Sequence, residues 1–363
     1  MNAKIAVTGA GGYIGSVMVG ELLRHGYRVR AIDAFYFGTP CLSKYDGHPK
    51  LEIVKQDIRA IDHHAYDDCD YAIDLAALSN DPSGDLDPEL TRSINEKGRI
   101  RAAMAAKRAG VRRYLFASSC AVYGAGQDLF LAEDTALRPL TIYAQTCARA
   151  EEAVLALNTG HFVATALRNA TVFGLSPRMR FDLVVNQMTF DALDRGRITV
   201  GGDGSQWRPL VHVRDVAAAF LAALRAPAGA VAGEAFNIGW DNRQIVDIAL
   251  AVKNTVSKPS EIEFMPGGLD RRDYHVSFAK AREHFGFGAR HRIEDAVIEI
   301  ENAIEAKILR NTPACNTVKW YKMLLADPLQ GLSLPLAAEE TVAASPSVFP
   351  RPQFETAADG ARA

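Results

Sequence analysis

Short apolar runs rich in β-branched residues alternate with stretches of helical spacing through the first half of the chain. Lys4–Thr8, Arg28–Ile32, Leu51–Lys55, Asp70–Leu75, Arg113–Ser119 and Phe162–Arg168 read as strands, and segments 13–25, 92–109 and 141–158 carry apolar residues at helical intervals. Strand, helix, strand in that order predicts an α/β fold: a doubly wound parallel sheet of Rossmann type, covered on both faces. After Arg168 the alternation turns irregular, with a helix-like 182–196, a loop at 201–209, an alanine-rich helix at 215–225 and a strand-like Glu234–Ile238. The expected organisation is a sheet domain over residues 1–168 that also takes the strand near 234–239, and a smaller mixed C-terminal lobe over 169–310 interleaved with it. Residues 311–363 read as a Pro/Ala-rich extension, surface-wrapping or mobile, with prolines at 328, 335, 346, 350 and 352.

Composition narrows the partners. The 363 residues are 48% hydrophobic and 23% charged, and 41 Lys+Arg against 43 Asp+Glu leave a net charge of −2. That balance offers no electrostatic footprint for a nucleic acid or an anionic membrane. No apolar run approaches the roughly 18 residues needed to span a bilayer, and no signal-peptide core precedes the first strand, so a soluble, cytoplasmic protein is expected. Cysteines 41, 69, 120, 147 and 315 are odd in number and lack a CxxC pair, which predicts neither a disulfide framework nor a metal site.

Candidate chemistry begins directly after the first strand. Thr8-Gly-Ala-Gly-Gly-Tyr-Ile-Gly15 places Gly9, Gly12 and Gly15 between a strand and a helix, where backbone N–H groups can approach a pyrophosphate, with Tyr13 and Ile14 opening the helix. The second strand ends in Asp33, a carboxylate suited to ribose hydroxyls and repulsive to a 2′-phosphate, and no Arg or Lys follows in 34–36. NAD is therefore expected over NADP. Asp57 and Ile58, past the third strand, are candidates for the adenine edge, with an ordinary helix N-cap as the other reading of Asp57.

Further along stand Asp74-Leu-Ala-Ala-Leu-Ser-Asn-Asp-Pro82, Asn95, Ser118-Ser-Cys-Ala-Val-Tyr-Gly124, a helix bearing Tyr143, Leu167-Arg-Asn-Ala-Thr-Val-Phe-Gly174, residues 202–217 and Phe236-Asn-Ile-Gly239. With the glycine cradle, this set resembles the extended short-chain dehydrogenase/reductase family in its nucleotide-sugar epimerase/dehydratase branch, over about residues 4–300. The resemblance implies resident NAD lined by Leu75, Ala76, Ala77 and Asn95 as well as the cradle, Tyr143 as general base, Ser119 on the reacting hydroxyl, and a homodimer. It also implies a nucleotide-sugar substrate. Ser79, Asn169, Thr171, Asn186, Arg208 and Arg272 are its candidate contacts, the arginines being suited to a diphosphate. Ser79 and Asn80 read equally as a turn and Asn186 equally as a helix-surface residue; Arg178 and Arg180 read as solvated charges ahead of contacts to an acidic sugar or phosphate.

Two departures bear on the reaction. The family pattern YxxxK is Tyr143-Ala-Gln-Thr-Cys147 here, so the cation that lowers the tyrosine pKa is missing. A charge about 5 Å away at an effective dielectric of about 20 is worth ~3 kcal/mol, and nothing in the sequence replaces it. Arg149 points to another helix face. The readings are an enzyme slowed or shifted to alkaline pH, a reaction tolerant of a less acidic tyrosine, or an altered position 147; the missing charge predicts that Cys147→Lys raises turnover at pH 7, and unchanged activity with an unperturbed pH profile would count against it. Second, the acid and base pair that dehydratases of this branch carry after the serine is Cys120-Ala121 here. Epimerisation is the expected reaction. The alternatives are a dehydratase using Cys120 as acid and a weakened NAD and nucleotide-sugar binding protein.

Overall fold

The computed structural model describes residues 3–124, 130–266 and 273–327. Strand β1 (Lys4–Thr8) is buried along its whole length, as a central parallel strand with both faces covered must be. It pairs in parallel with β2 (Arg28–Asp33) on one side and β4 (Tyr71–Asp74) on the other, once β3 (Leu51–Lys55) has extended the β2 edge. Strands β5 (Arg113–Ser119) and β6 (Val163–Asn169) follow on the β4 side. The spatial order is thus β3-β2-β1-β4-β5-β6, the doubly wound order, with the chain reversing direction across the sheet between β1 and β4. That switch point opens a crevice at the carboxyl ends of the strands.

The irregular second half supplies the remaining strands: β7 (Thr171–Phe173), β8 (Arg197–Gly201), β9 (Trp207–His212), β10 (Ala235–Ile238), β11 (Asp241–Gln244) and β12 (Glu261–Met265). Strand β10 returns to the main sheet beside β6 as its seventh member. The others form a three-stranded sheet, β11-β9-β7, and a parallel pair, β12-β8. The sequence reading had 201–209 as loop throughout, yet Trp207–Pro209 already belong to β9, paired with β11.

Helices are set by their small and apolar stripes. In α1 (Tyr13–Arg24), Gly15, Met18, Val19, Leu22 and Leu23 turn inward, and Gly12 at its start brings no side-chain cap, so the first-turn N–H groups stay available to a ligand. Residues Arg92–Gly98 form a π-helical turn that runs straight into α2 (Arg99–Arg108). Helix α3 (Ile142–Leu155) is capped by Thr141 Oγ1, which accepts from Ala144 N at 3.1 Å. It presents Ala144, Cys147, Ala148 and Ala150 inward, so its backbone lies close to the sheet. Its far end is anchored by the buried pair Arg168–Glu151 at 2.6 Å; Arg168 Nη1 also donates to Tyr123 Oη, which donates to Asn237 of β10.

Past residue 310, where the sequence offers no clear element, a short turn leads to α4 (Thr317–Ala326). Trp320 Nε1 donates to the Tyr36 carbonyl at 2.7 Å, Thr317 N donates to Asp182, and the Tyr321 ring lies 5.4 Å from that of Phe37. The rest of the extension lies outside the described residues. No helix among the described residues is long and apolar enough to cross a membrane.

Candidate active site

A cavity of about 560 Å³ runs from the glycine cradle over the carboxyl ends of β1, β4, β5 and β6 to β8 and β9. At its near end, Gly9 has φ +71°, and a Cβ there would stand 2.6 Å from the backbone of Leu75 and Ala76; at Gly15 a Cβ would stand 2.0 Å from the Gly9 carbonyl oxygen. Only glycine permits this closeness of turn, helix and neighbouring strand. Asp33 stands behind the cradle: Oδ2 accepts from Gly11 N at 2.9 Å and Oδ1 from Phe35 N at 2.5 Å. Burial pushes its carboxyl upward, against the two amides. A cradle that a methyl group would fill, uncapped helical N–H groups and a ribose-suited carboxylate together fit NAD. Asp33→Asn is expected to weaken NAD binding about tenfold and to erase preference over NADP, measured by fluorescence titration with each reduced cofactor.

A side chamber of about 90 Å³ is bordered by Asp33, Asp57, Ile58, Ala76, Ala77 and Tyr321. The Asp57 carboxylate is engaged there: Oδ1 caps Arg59 N at 2.8 Å and Oδ2 pairs with the Arg59 guanidinium at 2.7 Å. Oδ1 thus caps the short turn that follows, while Asp57 and Ile58 both border the chamber. Asn95, expected on the cofactor, is instead fully buried against Leu78, accepting from its N–H at 2.8 Å and donating to its carbonyl at 3.0 Å. It shapes the Leu75–Leu78 wall from behind.

Ser119 and Tyr143 share the middle of the cavity. Ser119 ends β5 and its Oγ accepts from Ala121 N at 3.2 Å. Tyr143 stands at the start of α3, packed so closely that a Cβ on Gly84 would come within 3.1 Å of its own. Burial drives the Tyr143 phenol well above its ordinary pKa and Cys147 and Asp81 add to this, while Ser119 and Arg99 pull it down. Cys147, one turn on, is buried in the core and pushed up to about 11, mainly by burial, so it is no thiolate at neutral pH. Cys120 lines the cavity but its thiol donates to the Arg168 carbonyl at 3.2 Å, and burial raises it strongly. An acid for elimination would need its proton on offer; this one is committed to the backbone.

The far half differs most from the sequence reading. Arg208 lines the cavity wall with its Nη1 held by the Trp207 carbonyl at 2.7 Å. Thr171 borders the same space, as does Asn169, whose Nδ2 donates to Ser118 O at 3.3 Å while its Oδ1 is buried with no partner among the described residues. Asn186 does not face the cavity: its Oδ1 accepts from Gly174 N and its Nδ2 donates to Tyr13 Oη and Arg180 O, which uses both amide protons. Arg178 and Arg180, read as solvated charges, are buried at 7% and 5% exposure and line the cavity. Arg180 pairs with Asp182 and donates to Ser79 Oγ at 3.0 Å. Arg178 lies 3.5 Å over the Phe37 ring, and burial, then Arg180, brings it down to about 10. Arg272 lies outside the described residues.

Sequence reasoning missed several lining groups, among them Tyr321 and Arg99. Tyr321 of α4 borders both chambers. Arg99 lines the wall beside Ser119 and Tyr143 at 1% exposure. No cluster of potential metal ligands occurs among the described residues.

Comparison with known proteins places this geometry. Residues 5–239 match the family model of the NAD-dependent epimerase/dehydratase family. The chain is 32% identical over 293 residues to a UDP-glucose 4-epimerase of Mycolicibacterium smegmatis, covering 78% of this chain and 93% of that protein. It is 26% identical over 275 residues to UDP-glucuronic acid decarboxylase 1 of Danio rerio, covering 74% of this chain and 64% of that one. Among solved structures, MoeE5 in complex with UDP-glucuronic acid and NAD superposes with a TM-score of 0.74 at 26% identity, over 84% of this chain and 100% of its own.

Proposed function

The chain belongs to the NAD-dependent epimerase/dehydratase family, and from that premise we propose that it epimerises a nucleotide-activated sugar, one ring carbinol being oxidised to the ketone and reduced again from the opposite face. The observation that carries this reading is the single continuous cavity with Ser119 and Tyr143 midway between the glycine cradle and Arg208. When bound, NAD supplies the hydride acceptor and donor of such a cycle. Tyr143 takes the proton of the reacting hydroxyl as the carbon is oxidised and returns it on reduction, with Ser119 orienting that hydroxyl. Arg208 supplies cationic donors for a diphosphate at the far end.

Elimination has less support. Of the two residues after Ser119, Ala121 has no acid or base and Cys120 spends its proton on Arg168. The test is mass spectrometry with chiral separation after incubation with UDP-hexoses and UDP-uronic acids. A new diastereomer of unchanged mass supports epimerisation. A product lighter by one water or by carbon dioxide overturns it for a dehydratase or decarboxylase, and saturable binding with no product overturns it for a binding protein.

A further inference from the structure

Arg99 has no place in the chemistry above. Its guanidinium is clamped between the ends of β4 and β5: Nε donates to Asp74 Oδ2 at 2.9 Å, and Nη2 donates to the Ala117 carbonyl at 2.7 Å and the Asp74 carbonyl at 3.2 Å. Cζ lies 3.7 Å over the Phe116 ring. Nη1 donates to none of the described residues, and the side chain borders the cavity with Ser119 and Tyr143.

We propose that Arg99 is the positioning cation for the Tyr143 phenol, standing in from α2 for the charge that α3 lacks at Cys147. The inference rests on Tyr143 being the base of the proposed reaction. Asp74, the counter-ion, is turned to the sheet side, where its Oδ1 accepts from Thr8 Oγ1 at 2.6 Å and Ala76 N at 3.2 Å. The positive end of the pair therefore points to the cavity. Ser119 from β5, Asp81 from the turn after β4 and held by Thr141 Oγ1, and Arg99 from α2 line the cavity with Tyr143, and these with Cys147 of its own helix are the groups that act on the phenol. Other nearby charges are engaged elsewhere: Glu151 with Arg168 at 2.6 Å, and Arg149 with Glu96 at 3.5 Å on the exposed side. Arg99 acts on the Cys147 thiol as well, against its burial, so the two side chains are electrostatic neighbours. A lysine at 147 would place a second cation beside this guanidinium, whereas a small neutral thiol fits. On this proposal Cys147→Lys adds a second cation to a site that already has one, so its gain in turnover is smaller than a wholly missing charge would predict.

The decisive measurement places difluorotyrosine at position 143 alone and follows its ionisation by fluorine NMR in the full chain, free and NAD-loaded, beside turnover against pH. In Arg99→Met the midpoint is expected to rise by about one pH unit or more, with a matching tenfold or greater loss of turnover at pH 7 that alkali restores. Arg99→Met/Cys147→Lys brings both back, and Arg99→Lys stays near the parent. Cys147→Lys alone gains less turnover at pH 7 than the same lysine restores in Arg99→Met. Because Met at 99 leaves the Asp74 carboxylate buried and alone, the series is repeated with Asp74→Asn so that misfolding does not hide the answer. A midpoint and pH profile unmoved by loss of Arg99, with only thermal stability lowered, would show a tie between strands and overturn the proposal. The NMR midpoint does not depend on any sugar, so a wrong base assignment appears separately, as full turnover in Tyr143→Phe.

Discussion

Turnover of Tyr143→Phe is expected to fall about 10²- to 10⁴-fold, while NAD binds within about threefold of the parent and the thermal midpoint barely moves. The ring is retained, so the packing of α3 against Gly84 and the sheet is unchanged; the one atom lost is the oxygen facing the cavity. Burial holds the parent phenol protonated well above its usual range. The form that accepts a proton is therefore scarce at pH 7 and grows with pH, so parent turnover climbs through the alkaline range until stability fails. The Phe variant has no such group, and its residual rate lacks that slope. Steady-state kinetics across pH, with calorimetric NAD binding, decides it: a variant that keeps the parent's rate and rising limb would remove Tyr143 from the chemistry.

Gly15→Ala should abolish useful cofactor binding, by about 100-fold or more in affinity, equivalent to about 3 kcal/mol, and should lower the thermal midpoint as well. The added methyl would lie 2.0 Å from the Gly9 carbonyl oxygen and 2.8 Å from Ala10 Cα, both backbone atoms of the turn that must stay tight against Leu75 and Ala76. Neither can yield without opening the cradle. Gly160→Ala is the matched control, since nothing lies within 4 Å of a Cβ there. Equal NAD affinity in the two variants would contradict the role given to the close approach.

The parallel sheet was legible because its strands are short β-branched runs and its helices keep regular stripes; β1, β3 and β5 fall at their expected bounds. Glycines 9, 12 and 15 were legible for the same local reason. Less visible was anything decided by side-chain direction across distant segments. Arg178 lies on an irregular stretch and Asn186 in the first turn of the helix Val184–Arg195; spacing at neither place says which side meets the cavity, and Asn186 is held by Gly174, Tyr13 and Arg180 while Arg178 lines the wall. Arg99 did leave a trace. It falls on the stripe of Asn95, Ala102, Ala103 and Ala106, all buried, and a charge on an otherwise apolar face of a helix signals a buried partner. Finding that partner, Asp74, required the strand order, because β4 and α2 meet only after the sheet is assembled.

Helix α4 has a consequence for the order in which the molecule can be completed. Tyr321 borders both chambers of the cavity, and Arg178 Nη2 reaches across to Thr317 Oγ1 at 3.1 Å. During synthesis Gly9–Gly15 emerges some three hundred residues before this helix, so sheet, cradle and strand β10 can all form while one wall is still absent. The cavity is therefore more open during synthesis than at any later time, and NAD that enters before Tyr321 docks meets no closed wall on that side.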